Sequence, residues 1–173
     1  MKAIAAAKSG GYAPIVLIQP QYNLVKHQAE VEILPLAKDQ NLAVCPYSPI
    51  AAGLLSGKYQ RKEEGRIDIN PNYTERFRNT EYWETSDRFV AFAQAHGHHP
   101  AALAVAWVLH HPQVTAPIIG ARNLDQLTTA LSAADIPMTP DLRDQIAALS
   151  PEPPLPTDRE KSTFIPNAAM PKR

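Results

Sequence analysis

The sequence predicts an α/β fold in which parallel strands alternate with helices, on three observations. Short apolar runs stand at 15–18, 42–45 and 115–119, the first of them mostly β-branched. Stretches with helical spacing of apolar residues separate them. Each run ends in amides, prolines or glycine, at Gln19-Pro20-Gln21, Pro46-Tyr47-Ser48 and Gly120. Strands alternating with helices read as parallel βαβ units. Three such strands neither close a barrel nor make a comfortable open sheet, because each outer one presents an unpaired edge and apolar faces. Residues 1–150 therefore read as one portion of a larger parallel arrangement, and 151–173 as a Pro-rich tail.

Residues 1–9 have helical preference and read as the tail of a helix that Gly10-Gly11 ends. Ile15-Val16-Leu17-Ile18 has the composition of a strand buried on both faces. From His27 to Asp39 the spacing turns helical, with Val31, Leu34 and Ala37 on one side and Pro35 placed to kink it. Residues 60–83 show no period, and a stretch of that length reads as a functional loop or lid. Thr85 or Ser86 is the expected cap of a helix that buries Phe89, Phe92 and Ala93 and ends near Gly97. Pro100 suits the first position of another helix, with Leu103, Ala106, Trp107 and His110 inward. Asn123-Leu124-Asp125-Gln126 has the form of a capping box, leading into a face of Leu124, Leu127 and Leu131. Thr139-Pro140 opens a last helix with Leu142, Ile146 and Leu149 inward. The tail is expected to hug the surface or stay disordered.

Charge narrows the function classes. Basic and acidic residues number 17 each, for zero net charge, so no electrostatic footprint for nucleic acid or an anionic membrane is present. The single cysteine, Cys45, excludes an internal disulfide and, inside an apolar run, reads as a small packing residue. No signal-peptide apolar region opens the chain, and the longest apolar run, 101–109, is about half a membrane span. A soluble cytoplasmic protein is the expectation. His96, His98, His99, His110 and His111 lack the spacing of a zinc site, so no metal is expected.

The densest candidate site is the loop after the second run, from Tyr47 through Ser48, Ile50, Gly53, Leu55 and Gly57 to Lys58 and Tyr59. A flat ring, hydroxyls, close-approach glycines and one cation suit a large planar anionic ligand. A plain Pro/Gly loop leaving a strand has the same composition. The phosphate-loop pattern fails, since three residues rather than four separate Gly53 from Gly57 and Tyr59 follows Lys58. Ser48 lacks the Gly-x-Ser-x-Gly frame of a nucleophile elbow.

Three blocks in register carry a resemblance. They are Gln19-x-x-Tyr22-Asn23-Leu24, the stretch Tyr47-Ser48-Pro49-Ile50 with Gly53-Leu54-Leu55-x-Gly57-Lys58-Tyr59, and Pro117-Ile118-Ile119-Gly120-Ala121-Arg122-Asn123-x-x-Gln126-Leu127. Over about residues 1–150 the chain resembles the C-terminal part of the aldo-keto reductases, NADPH-dependent carbonyl reductases built on a (β/α)8 barrel. The resemblance implies a partial TIM barrel made of strands six to eight, NADP(H) as cofactor, and reduction of aldehydes or ketones by the complete enzyme. It gives Gln19 the nicotinamide carboxamide, which an amide can both donate to and accept from. Tyr47 resembles the ring stacked on the nicotinamide. Ser48, Ile50 and the run from Gly53 through Leu55 to Lys58 resemble the loop that wraps the pyrophosphate. Gly120, Ala121 and Arg122 follow strand eight, where a guanidinium fork matches the adenosine 2′-phosphate, and Gln126 would reach the adenine side. Gln126 is equally a capping-box partner, Tyr22 and Tyr59 are equally packing rings, and Lys58 is equally a solvated cation.

The chain departs from the family pattern in two ways. Thr129 and Ala130 stand where members usually carry Glu and Asn against adenosine. The catalytic Asp, Tyr, Lys and His belong to the family's first half-barrel, and nothing in 1–14 replaces them, so no catalytic residue is assigned. The expectation is a cofactor-binding half that is inactive alone and would partner either a second copy or an N-terminal half. Its alternatives are a non-catalytic nucleotide-binding or assembly module and a truncation product without function. The carbonyl substrate is not legible in these residues.

Overall fold

Parallel pairing of the first two apolar runs organises the computed structural model, which describes residues 1–155. The tail beyond Leu155 lies outside the described residues. Strands β1 (Leu17–Ile18) and β2 (Ala43–Val44) pair in parallel, with Leu17 opposite Ala43 and Ile18 opposite Val44. The ladder runs past the regular strands: Ala43 N donates to Val16 O at 2.9 Å, Cys45 N to Ile18 O at 3.0 Å and Tyr47 N to Pro20 O at 3.0 Å. On the other side of β2, Thr115 N donates to Val44 O and Ile118 N to Pro46 O, both at 2.8 Å. The third run is therefore in place as a parallel partner, but only as a single bridge between Tyr47 and Ile118 rather than the regular strand expected. Pro117 removes a ladder donor at its centre, and Val44 N finds its acceptor in the Thr115 hydroxyl at 3.0 Å instead of a backbone carbonyl. All three segments point their carboxyl ends the same way, which brings Tyr47 and the residues after Ile118 to one rim.

Burial corrects the reading of 15–18. Val44, in the central strand, is fully buried, whereas Ile15, Val16 and Leu17 are exposed, Val16 by 64%. β1 is an edge, and no described residue covers its outer side. Cys45 is half-buried and free.

Helix α1 (Lys2–Ser9) buries none of its residues and ends where Gly10 N donates to Ala6 O. Residues 27–39 form a 3₁₀ turn (Gln28–Glu30) followed by α2 (Ile33–Asp39). Pro35 sits in the first turn of α2, where the lost N–H has no intrahelical acceptor anyway, so the expected mid-helix kink is absent. The stretch 60–83 is likewise not one loop. It holds α3 (Arg66–Ile69) and α4 (Pro71–Arg76), and α5 (Thr80–Ala95) already begins inside it. Asn79, not Thr85 or Ser86, caps α5, its side-chain oxygen accepting from Glu81 N at 3.0 Å. Thr85 and Ser86 are buried mid-helix beside Phe89 and Ala93.

Helix α6 (Pro100–Leu109) is apolar nearly all round and buried from Ala102 to Val108, while His110 is exposed beyond its end. Helix α7 (Leu124–Leu131) follows the Asn123 cap, but its leucine face is open, with Leu124 exposed by 74% and Leu131 by 58%. Helix α8 (Pro140–Ala147) is capped by Thr139 and anchored by fully buried Ile146. α8 is tied to the turn after β1 by a buried polar group. Tyr22, fully buried, donates its hydroxyl to Glu30 and accepts from Arg143 Nη2 at 3.0 Å. The Arg143 guanidinium lies 4.6 Å over the Trp107 ring, and Tyr22 stacks on Trp107 at 5.2 Å. No helix among the described residues is long and apolar enough to cross a membrane.

Candidate functional site

The loop after β2 is built from backbone that side chains normally avoid. Ser48, Ala51 and Ala52 all have positive φ (62°, 51° and 58°), followed by Gly53 at 96° and Gly57 at 80°. Each non-glycine residue there costs on the order of 1–3 kcal/mol and persists only where surrounding contacts over-determine it. Those contacts are visible. Ala51, Leu54 and Leu55 are fully buried, nailing the loop down. Asn23, also fully buried, donates from its amide to Ser48 O at 2.9 Å and accepts from Lys26 N at 2.9 Å. Ser86 reaches up from α5 to donate to Leu54 O at 2.7 Å, and Ser56 donates to Gly53 O at 2.6 Å. The left-handed run from Ala51 to Gly53 curls the chain on itself, with Ala51 N donating to Ser48 O and both Gly53 N and Leu55 N to Ile50 O. A Cβ on Gly53 would stand 3.3 Å from Lys58 Cδ, so the glycine lets the lysine stem lie across the loop.

This loop forms one wall of a cavity of about 600 Å³. Tyr47, Ser48, Ile50, Gly53, Ser56 and Lys58 line it from the first wall, and Gly120, Ala121, Arg122 and Gln126 from the second. Asn123 Oδ1 accepts from Gln126 N at 2.9 Å, while Gln126 Oε1 accepts from Arg122 N at 3.0 Å. The expected capping box is thus shifted by one residue, and Gln126 both braces Arg122 and faces the cavity. Thr129 and Ala130 line it as well.

A third wall comes from the stretch without period. Arg61, Arg66, Tyr73 and Arg76 line the cavity, with the Arg66 and Arg76 guanidinia 5.4 and 5.3 Å from the Tyr73 ring centre. Tyr59 holds this wall by accepting from Ile67 N at 3.1 Å through its hydroxyl, and burial pushes that hydroxyl's pKa up. His99, the cap of α6, completes the lining, and its Nδ1 accepts from Ala101 N at 3.1 Å. Burial first, and then the neighbouring Arg61, hold its pKa below the usual histidine range.

Cations outnumber anions on the lining of this cavity: Lys58, Arg61, Arg66, Arg76 and Arg122 stand against Glu63 and Asp125. Arg61 pairs with Glu63 at 2.5 Å, and among the described residues Lys58, Arg66, Arg76 and Arg122 form no ion pair. An excess of cations facing one space suits a polyanion. Of the other candidate residues, Gln19 is exposed at the carboxyl end of β1 and does not line the cavity. The Leu55 side chain is fully buried in the core, leaving only its backbone for the loop. Tyr22 is a core ring in the Glu30–Arg143 cluster. Among the described residues no group of three or more His, Cys, Asp or Glu could hold a metal ion.

Sequence reasoning missed Asn23 as the loop's anchor and the arginines of the third wall. Asn23 stood inside a recognised block, and its side chain bonds a residue 25 positions away, which no local pattern reports. Arg66 and Arg76 sit in helices of 4 and 6 residues, too short to show a period.

Comparisons with known proteins converge on one family. The model of the Aldo/keto reductase family matches residues 1–151. Uncharacterized oxidoreductase YrpG of Bacillus subtilis is 33% identical over 154 residues, which is 88% of this chain and 46% of that protein. A probable voltage-gated potassium channel subunit beta of rice is 32% identical over 145 residues, covering 78% of this chain and 43% of the relative. Protein tas of Escherichia coli is 28% identical over 138 residues, 78% of this chain and 40% of its own. The chain spans about half the length of the curated relatives it matches. With the family model spanning both cavity-lining loops and the strands that carry them, the chain belongs to the aldo/keto reductase family.

Proposed function

We propose that this chain supplies the dinucleotide-binding half of an NADP(H)-linked oxidoreductase that reduces aldehydes or ketones. The observation that carries the reading is the cavity in which a left-handed loop, Lys58 and Arg122 converge from the ends of adjacent parallel segments. The residues fit the group. The backbone of 48–55 and the Lys58 ammonium would take the pyrophosphate, and the Arg122 fork, braced by Gln126, would take the 2′-phosphate. Tyr47, held by Pro20 O on one side and bridged to Ile118 on the other, offers a ring at the rim for the nicotinamide. NADPH, when bound, supplies a hydride to the carbonyl carbon. The residues here bind and orient it; none is assigned the proton transfer. The three parallel segments are then strands six to eight of a (β/α)8 barrel, with the site at the carboxyl ends where such barrels carry their chemistry. On this reading the chain alone is without carbonyl reductase turnover.

A second reading, a non-catalytic assembly module, draws on the open apolar residues Val16, Leu17, Ile118, Leu124 and Leu131 and on the likeness to a potassium channel subunit beta. Those residues would be covered by a second copy or by an N-terminal half-barrel.

NADPH titration followed by tryptophan fluorescence, with a melting curve on the same sample, tests the first reading. Saturable binding that raises the melting temperature is expected. Arg122→Ala should weaken it by roughly 10- to 100-fold, the loss of about 1.5–3 kcal/mol for charge-assisted hydrogen bonds. Binding that is absent, or indifferent to Arg122→Ala, contradicts it.

A further inference from the structure

We propose that His99 is a further binding residue of the cleft, donating from Nε2 to a phosphate oxygen of the ligand while its other ring nitrogen caps α6. That the phosphate belongs to a dinucleotide rests on the function proposed above; the state of the ring does not.

One hydrogen bond fixes the chemistry of this side chain. Nδ1 accepts from Ala101 N at 3.1 Å, so it carries a lone pair, and the single proton of the neutral ring sits on Nε2. A second proton would break the cap. It would also place a positive charge at the N-terminal end of a 10-residue helix, where the dipole disfavours it. Burial and the neighbouring Arg61 act in the same direction, holding the pKa below the usual histidine range. His99 is thus a neutral donor at neutral pH. Among the described residues its Nε2 has no hydrogen-bond partner.

The ring stands where a phosphate would need it. His99 and Ala101 both line the cleft, and with Nδ1 occupied, Nε2 is the polar atom the ring can offer there. The start of α6 closes on the end of the left-handed loop. A Cβ on Gly57 would stand 3.6 Å from Pro100 Cγ and 3.2 Å from Arg61 Nη1, so glycine at this position admits both. His99 therefore adjoins the wall to which the pyrophosphate is assigned. A neutral donor adds direction to a lining already rich in cations without adding charge. An anion that accepts from Nε2–H shifts electron density onto Nδ1, so ligand and cap strengthen each other.

Nitrogen-15 NMR of histidine-labelled chain at about pH 8, with and without NADPH, tests the assignment. The His99 signals, identified by their absence from His99→Ser, should show the Nε2–H tautomer in the free chain and move saturably with NADPH. Exchange of the Ala101 amide should slow as the cleft fills. Serine is itself a favoured cap, so His99→Ser should move the melting temperature of the free chain by less than about 2 °C. It should nevertheless weaken NADPH binding by about tenfold, the loss of one hydrogen bond to a charged group. His99→Ala, which loses cap and donor together, should lower both. Inorganic pyrophosphate separates the donor from the dinucleotide reading. His99 signals that respond to pyrophosphate in a chain that does not bind NADPH uphold the donor and overturn that reading. His99→Ser that binds NADPH as tightly as the original chain overturns the proposal, as do His99 signals unmoved by NADPH and pyrophosphate alike.

Discussion

Asn23 shows how much one buried side chain can determine. Its amide bonds Ser48 O, its oxygen bonds Lys26 N, and the loop it holds has three non-glycine residues at positive φ. Asn23→Ala takes the side-chain partner from Ser48 O, while Lys26 N keeps its bond to Asn23 O at 3.0 Å, so a loss of about 1–3 kcal/mol is expected by urea unfolding, with NADPH affinity falling as the loop relaxes. Tyr22→Phe deletes the hydroxyl between Glu30 and Arg143, and about 1–3 kcal/mol should go with it. The acid side of the stability curve follows from groups held low in the fold. Burial and Arg143 depress the His111 pKa, and despite its burial Glu30 is depressed by hydrogen bonds from His27 and Tyr22. In both cases the unfolded chain binds protons more readily, so stability is lost as pH falls. The decline should begin below about pH 6.5 with His111 and His99, both held low by burial, and steepen below about pH 4.5 with Glu30. A thermal melt series across pH 4 to 8, with His111→Gln flattening the upper limb, checks the sign.

At the scale of elements, legibility in the sequence tracks how local the determining contact is. The Asn123 and Thr139 caps and the Pro100 start were readable because cap and helix are adjacent in the chain. The start of α5 was misread because Thr85 and Ser86 look like caps, yet face inward; Ser86 bonds Leu54 O, 32 residues away. The α7 leucines had the right period, but a period reports a face, not whether anything covers it. Accordingly Leu131→Lys should change stability by less than about 0.5 kcal/mol, as for other exposed positions, whereas Ile146→Ala in α8 should cost about 2–5 kcal/mol. At Gly65 an added Cβ would run into the Tyr59 ring, whose Cε1 lies 3.0 Å away. Gly65→Ala should therefore lift α3 off Tyr59 and weaken nucleotide binding through the third wall, without touching the first two.

For the whole molecule, the parallel order β1, β2 and 115–119 was legible from three apolar runs, and the cleft from the loops that follow them. Their exposure was not, because a β-branched run signals a strand that can be buried on both faces and says nothing of whether the covering residues are in hand. A cleft able to hold a dinucleotide, formed by the described residues themselves, should be visible in amide hydrogen exchange with and without NADPH. Added protection is expected in two separate segments, 48–58 and 120–126, with little change in α1 or α8. Protection confined to neither segment, or spread evenly over the chain, would contradict it.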